Sequence, residues 1–355
     1  MFPGQPRFTY RPGLIVLTEK CSNQVVSSNN RMINLYKNPW IFGALILLTV
    51  ISPSVSQAQE KKEGTQLVLL GTGNPQPDPD RAGSATAVVV NGSAYLVDFG
   101  PGVVRRAAAA ARDKKIRELE PSRLKVVFST HLHSDHTAGY PDLILTPWVM
   151  GRLEPLEVYG PKGIREMTDH VLAAYQEDIR IRTEGMEKIP RDSLKVNVHE
   201  VKPGVVYKDT NVTVTAFATK HGDWQESYGY RFDTPDRSIV IPGDTTPTQA
   251  TIDACNGCDI LVHEALTMKY LNNPMRPNAQ GHDIKAYAEK YHTTTAQLAE
   301  LAGKARPGLL VLHHNPITLQ PTKRPYASTP DDLLREIEQA GYKGKVVVGR
   351  DLDVY

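Results

Sequence analysis

The stretch Thr130-His131-Leu132-His133-Ser134-Asp135-His136 constrains this chain more than any other. It sets three imidazoles and a carboxylate within six positions. With this chain's composition, His-x-His-x-Asp-His arises by chance in about one sequence in a thousand. Histidines scattered over a surface loop are therefore a poor account of it. The residues leading into it, Leu124-Lys-Val-Val-Phe-Ser-Thr130, read as a buried strand. Side chains two apart on an extended backbone point the same way, so His131 and His133 can grip one ion from the strand end. Asp135 and His136 fall in the turn beyond and can face a second ion. The stretch is a metal site that needs further ligands from elsewhere.

The first 58 residues are set apart by their pattern. Trp40 to Ile51 is an apolar run preceded by Arg31 and Lys37, and Ser56-Gln57-Ala58 ends it with small residues. A basic region, a short apolar core and a small-residue exit describe a secretory signal peptide cut after Ala58. The run falls short of the roughly 20 residues a membrane span needs. The expectation is a periplasmic or secreted protein with no stable membrane contact once the leader is removed. The leader holds Arg7, Arg11, Lys20, Arg31 and Lys37 against Glu19, so the remainder is −2 where the whole chain is +2. A remainder of that charge is no broadly basic nucleic-acid binder. Cys21 leaves with the leader, and Cys255-Asn-Gly-Cys258 suits a small disulfide in an oxidising compartment.

Residues 59–64 read as a linker and 65–355 as one domain, since no further linker divides them. Strand signals fall at Gln66–Leu70, Thr86–Val90, Tyr95–Phe99, Leu124–Thr130 and Glu157–Tyr159, with helices expected from Val103 to about Leu119 and over 164–184. Gly139–Met150 reads as a helix or loop over the site. In the second half Leu194–Val201, Val212–Ala218, Ser227–Phe232, Ser238–Ile241, Asp259–His263, Leu309–Leu312 and Lys345–Val348 are β-like. Helices are expected at Thr293–Ala305 and Asp331–Ala340. Two strand-rich halves, each closed by helices, predict an α+β sandwich of two mixed sheets packed face to face with helices outside.

Three strand signals end in metal-type residues: the one before His221-Gly-Asp, the one before Gly243-Asp244-Thr245, and the one before His313-His314-Asn-Pro. One such residue alone is more often a turn former. Together with the opening stretch they complete two ligand sets.

At this point the chain resembles the metallo-β-lactamase superfamily, in the branch of ribonuclease Z and the arylsulfatase-type hydrolases. The resemblance covers residues 65–355 and rests on Leu-Val-Leu-Leu-Gly-Thr-Gly ending at Gly73, Tyr95–Gly100, Thr130–His136, Ala218–Gly222, Ser227–Arg231, Gly243–Thr245, Leu261–Ala265 and Tyr291–Gln297. It implies the αββα sandwich and two zinc ions per chain. His131, His133 and His221 would hold one; Asp135, His136 and a C-terminal histidine the other; Asp244 would lie between them. Spacing from Lys304-Ala-Arg306 favours His314 as the C-terminal ligand, whereas alignment on Pro316 favours His313. The resemblance also implies that a water shared by the ions attacks the ester, with Asp135 aiming it, His292 protonating the leaving oxygen and Glu264 orienting His292. His263 would sit behind the ligands and Asp98 would brace the metal loops. His170, His199 and His282 are expected on the surface.

The chain departs from ribonuclease Z at the protruding arm that binds tRNA. Only Phe232–Ser238 and one short strand separate Arg231 from Gly243. With the charge and the leader, this departure leads to an exported hydrolase of a small phosphodiester or aryl sulfate, with no nucleic-acid partner and room for a homodimer. The alternatives are a lactonase or other carboxylic-ester hydrolase, a ribonuclease Z-type tRNA 3′ endonuclease, and an inactive metal-binding scaffold.

Overall fold

The computed structural model describes residues 64–272, 284–320 and 327–355, all within the compact unit Glu60–Tyr355. The expected leader and His282 lie outside the described residues. Two sheets follow chain order almost perfectly. The first runs β1 (Gln66–Gly71), β2 (Ala85–Val90), β3 (Ser93–Val97), β4 (Val126–Phe128), β5 (Leu156–Gly160) and β6 (Val196–Glu200). The second runs β7 (Gly204–Lys208), β8 (Thr213–Ala218), β9 (Tyr228–Asp233), β10 (Ser238–Ile241), β11 (Ile260–His263), β12 (Leu309–Leu312) and β13 (Val346–Val348). Each sheet begins antiparallel and ends parallel, the change falling between β3 and β4 in one and between β10 and β11 in the other.

Strand alternation explains the layers. Leu67 and Leu69 of β1, Val88 and Val90 of β2, and Tyr95 and Val97 of β3 face the second sheet, where they meet Tyr230, Phe232, Ile239, Val262 and Val311. Their neighbours Val68, Ala87, Val89 and Leu96 face outward under or beside helices α1 (Val103–Asp113) and α3 (Tyr140–Val149), while the short α2 (Ser134–Thr137) belongs to the loop after β4. Helices α4 (Ile164–Ala174) and α5 (Gln176–Glu184) complete this side. The far face of the second sheet is covered by α6 (Gln249–Cys255), α9 (Thr295–Ala305) and α10 (Pro330–Gln339), while α7 (Met268–Leu271) and α8 (Ile284–Tyr291) lie between β11 and α9 in the chain. Phe128 sits at the centre of the inter-sheet layer, 5.1 Å from Tyr159, 5.2 Å from Tyr230 and 5.5 Å from Phe232 by ring centroids. Such aromatic pairs contribute about 0.5–1.5 kcal/mol each beyond their buried area. The chain end then returns to β1: Leu67 and Tyr355 exchange backbone hydrogen bonds of 3.0 and 2.9 Å. Among the described residues no helix is long and apolar enough to cross a membrane.

Several elements differ from the expectation for local reasons. The first helix stops at Asp113 because Lys115 adopts a positive φ of 64°. The helix expected over 164–184 breaks at Tyr175 into two. The strand before the histidines shortens to Val126–Phe128, its last residues being drawn into the metal loop. Strand β7 and helices α6, α7 and α8 are additions to the expected elements. Gly139–Met150 does not cover the site: α3 buries Tyr140, Leu143, Ile144 and Trp148 in the core beneath the first sheet.

Topology sets where chemistry can happen. Strands β8, β10, β11 and β12 run in one direction, so the loops after them share an edge. Those loops carry His221, Asp244, Glu264 and His314, and the loops after β3 and β4 bring Asp98 and His131–His136 to the same edge.

Candidate metal centre

His131, His133 and His221 meet at one point. His131 Nε2 and His221 Nε2 each lie 3.0 Å from His133 Nδ1. Their other nitrogens are already engaged. The Thr130 hydroxyl donates to Asp98, so at 3.0 Å it accepts from His131 Nδ1. The Tyr291 carbonyl accepts from His221 Nδ1 at 2.7 Å. Both Nε2 atoms therefore present lone pairs inward. Burial holds His131 far below the ordinary histidine range and His221 down at about 4, so both stay neutral, as a metal ligand must. The Trp224 indole N–H points at His133 Nε2 from 3.0 Å and fixes that ring's plane.

A second group surrounds Asp244. His314 Nε2 is 2.9 Å from Asp244 Oδ2 and 3.4 Å from Asp135 Oδ2, and His136 Nε2 is 3.4 Å from Asp244 Oδ1. Burial opposes charge on His136 and His314, but the Asp244 carboxylate raises both, and they in turn hold Asp244 well below the carboxylate range. The Asp135 Oδ2 atom is buried yet makes no hydrogen bond. An orphaned carboxylate oxygen beside converging imidazoles is costly unless a cation takes it up, so the residues fit divalent metal. Asp98 organises the whole loop. It accepts from the Thr130 N–H at 2.8 Å and lies 2.8 Å from His136 Nδ1, in the left-handed region at φ 61°. Gly243, at φ 71°, delivers Asp244: a Cβ there would stand 2.7 Å from the Thr130 Cβ. Only glycine fits that turn.

Backbone sets the tandem histidines apart. His314 has φ 54°, which turns its ring inward, and its Nδ1 donates to the Gly73 carbonyl at 2.7 Å. His313 belongs to none of the ligand clusters among the described residues; burial keeps it neutral, down at about 3.

Beside the metal groups, His292 Nδ1 meets Glu264 Oε2 at 2.7 Å, and Glu264 Oε1 accepts the Thr245 N–H at 2.9 Å. Burial disfavours the imidazolium, but the Glu264 carboxylate outweighs it and pushes His292 up to about 9. His292 lies 3.9 Å from Asp244 and lines a cavity of about 350 Å³ with His133, Asp135, Asp244 and His314. With Nδ1 held, Nε2 is the nitrogen left for a ligand. His263 is buried behind the site, its Nδ1 on the Glu264 carbonyl, and its burial brings it down to about 4.

The structure thus brings together all nine residues singled out in the sequence: His131, His133, Asp135, His136, His221, Asp244, Glu264, His292 and His314. His170 and His199 lie on the outside as expected, the latter paired with Glu157. Sequence reasoning missed Trp224 and Asp351. Trp224 follows His221-Gly-Asp directly. Asp351 follows strand β13 as Asp244 follows β10, a signal passed over at the chain end. Its carboxylate takes the Thr72 N–H at 2.9 Å, the Thr72 hydroxyl at 2.7 Å and the Ala82 N–H at 2.8 Å. The expected Cys255–Cys258 disulfide is present.

Comparison with known proteins settles the lineage. The β-lactamase superfamily domain model matches residues 94–315. The chain belongs to the metallo-β-lactamase superfamily. A ribonuclease Z of Mycobacterium sp. (strain KMS) is 37% identical over 252 residues, 70% of this chain and 83% of that protein. Ribonuclease Z of Mycobacterium bovis (strain BCG / Pasteur 1173P2) is 31% identical over 290 residues, 81% and 96% of the two chains. Among solved structures, the metallo-β-lactamase fold protein YhfI of Bacillus subtilis superposes with TM-score 0.60 at 17% identity, covering 82% of this chain and 99% of that one. The short form of human tRNase Z, ELAC1, gives TM-score 0.55 at 23% identity over 82% and 98%. The superfamily and these relatives make the protein a metal-dependent hydrolase of ester bonds, on the αββα sandwich expected of it.

The same relatives correct one expectation. A small-molecule ester as substrate, with no nucleic-acid partner, does not stand against relatives at 31–37% identity that are ribonucleases. The inference failed because a net charge of −2 is a sum over the surface and not a map of it. The hairpin between β9 and β10 is indeed tight, Thr234 N–H bonding the Arg237 carbonyl at 2.9 Å, but its shortness bears on that one arm alone.

Proposed function

We propose that the chain is a phosphodiesterase of the ribonuclease Z type that cleaves RNA with the help of two zinc ions. The observation that carries the reading is the position of Asp244. It stands between the two ligand groups and 3.9 Å from His292, whose own partner is Glu264. His131, His133 and His221 would hold one ion and Asp135, His136 and His314 the other, a nitrogen and carboxylate donor set that suits zinc. Ions held there supply Lewis acidity to the phosphoryl oxygens and to water.

The chain's own residues do the rest. His292, raised to about 9, carries a proton at neutral pH. Glu264 fixes its ring, so Nε2 can deliver that proton to the oxygen leaving phosphorus. Glu264 is itself oriented by the Thr245 backbone directly after Asp244, which locks the donor to the metal loop. Asp135, with its unbonded oxygen turned into the centre, holds the attacking side.

The test is cleavage of an RNA stem carrying a 3′ trailer, with metal content measured on the same preparation. Two zincs per chain and cleavage are expected. His292→Ala should keep both ions and lose about 10²–10⁴-fold in kcat. Turnover of bis-p-nitrophenyl phosphate with no cleavage of any RNA would defeat the reading.

A further inference from the structure

The cavity beside the metal groups is lined by residues that the chemistry above does not use. Besides the ligands and His292 its lining includes Tyr270 of α7, Tyr287 of α8, Leu266, Pro316, Asn74 and Gln76. Tyr287 is 47% exposed, so it is not a core residue. Its ring is nonetheless held in place: it stacks on Tyr291 at 4.6 Å with planes 16° apart. Its centroid lies 5.5 Å from that of His292. The site thus joins a fixed, half-open aromatic ring to a proton donor and a metal centre.

We infer that Tyr287 is a stacking platform for the base of a nucleotide flanking the scissile phosphate. This rests on the ribonuclease reading of the same site. An RNA phosphodiester with its leaving oxygen at His292 Nε2 carries a base on each side, and Tyr287 lines the same cavity as His292. Stacking on a tyrosine serves any base, because every base has a π-face, while the amides of Asn74 and Gln76 can meet base edges. Leu266, another lining residue, is tied to the residue after His292: its N–H bonds the Thr293 carbonyl at 2.9 Å. A purely apolar ester would gain nothing from the amides, and an inorganic phosphate would gain nothing from the ring.

The experiment compares wild type, Tyr287→Phe and Tyr287→Ala on the trailer RNA and on versions lacking the base at one or the other flanking nucleotide. Zinc content is checked for each variant, since Tyr291 beside Tyr287 also holds His221. Tyr287→Ala should raise KM on intact RNA about 5- to 150-fold, with kcat moved far less. Tyr287→Phe keeps the π-face and should stay within about threefold of wild type. On one of the two abasic RNAs wild type and Tyr287→Ala should become equal. Tyr287→Ala matching wild type on intact RNA, or keeping its full deficit on both abasic RNAs, overturns the platform and leaves the ribonuclease reading standing. No RNA cleavage by wild type, with a simple phosphodiester still hydrolysed, overturns both.

Discussion

The two halves of the sandwich supply metal-type residues in opposite ways. The first half delivers His131, His133, Asp135 and His136 from a single loop after β4, organised by Asp98 at the end of the adjacent strand. The second half delivers His221, Asp244 and His314 from three loops, each fixed by a group distant in sequence. The Tyr291 carbonyl holds His221, Thr130 closes over Gly243 before Asp244, and the Thr72–Gly73 backbone holds His314. The first set is ordered mainly by its own loop and the adjacent strand, with Trp224 reaching His133 from the second half. The second exists only once both sheets are packed, so metal affinity there is coupled to tertiary structure.

The largest effect that can break this contrast comes from Asp244. Asp244→Ala removes a carboxylate from between the two groups and should weaken binding of both ions, with activity down on the order of 10³-fold or more. His131→Ala touches the three-histidine group and should leave Asp135, His136 and His314 able to retain about one ion, with activity lost to a similar degree. Metal stoichiometry after dialysis, read beside activity, separates the two variants. Equal ion loss in both would mean that the two groups do not behave as separable sites.

A smaller effect probes the long-range support. Asp351 holds Thr72 and Ala82 and pairs with Arg106 at 3.2 Å, and the Thr72 and Gly73 carbonyls in turn hold His314. Asp351→Ala should weaken the ion at the His314 group about 10- to 100-fold while the three-histidine group keeps its affinity. Competition with a graded chelator, following the two ions separately, gives the answer. An unchanged second affinity would show that His314 is placed by its own left-handed backbone without help from the chain end.

This contrast also explains what could be read from the residues beforehand. The loop Thr130–His136 is a dense local pattern and was legible at once, as was the rule that ligands follow strands. Apolar strand runs such as Leu67–Leu70 and Thr86–Val90, gathered in two halves each closed by helices, made the two packed sheets legible too. What was hidden is whatever depends on packing. What sets His314 apart from His313 is one φ angle. Trp224 and Asp351 act on partners 91 and 279 positions away, which no periodicity reveals. Gly139–Met150 reads as a helix or loop over the site; it is a helix, but its apolar residues point into the core. The substrate was misjudged for a related reason: total charge and one missing arm say nothing about where an RNA strand meets the surface.

The smallest effect concerns stability and extends the contrast to the outer helices of the second half. Thr329 is the N-cap of α10, and Asp332 at the third helical position closes the capping box by accepting from the Thr329 N–H and hydroxyl, both at 2.9 Å; it also receives Lys269 of α7 at 2.8 Å. Its carboxyl is brought down to about 2: burial opposes this, but the hydrogen bonds from Lys269 and Thr329 outweigh it. A carboxyl with a depressed folded value stabilises the fold above its unfolded value, near 4, and that contribution fades as pH falls toward 2. Asp332→Ala should therefore cost about 1 kcal/mol at neutral pH, the usual worth of a helix cap. Denaturant titrations at pH 7 and at pH 3 should show the difference between variant and wild type shrinking in acid. Because α7 begins just after Glu264 and Leu266, the variant should also loosen the tyrosine lining of the cavity before it disturbs the loop of His131–His136. Hydrogen exchange at the backbone of residues 266–272 faster than wild type, with 129–137 unchanged, would place the weak coupling in the second half. Equal acceleration in both segments would mean that the two halves open together.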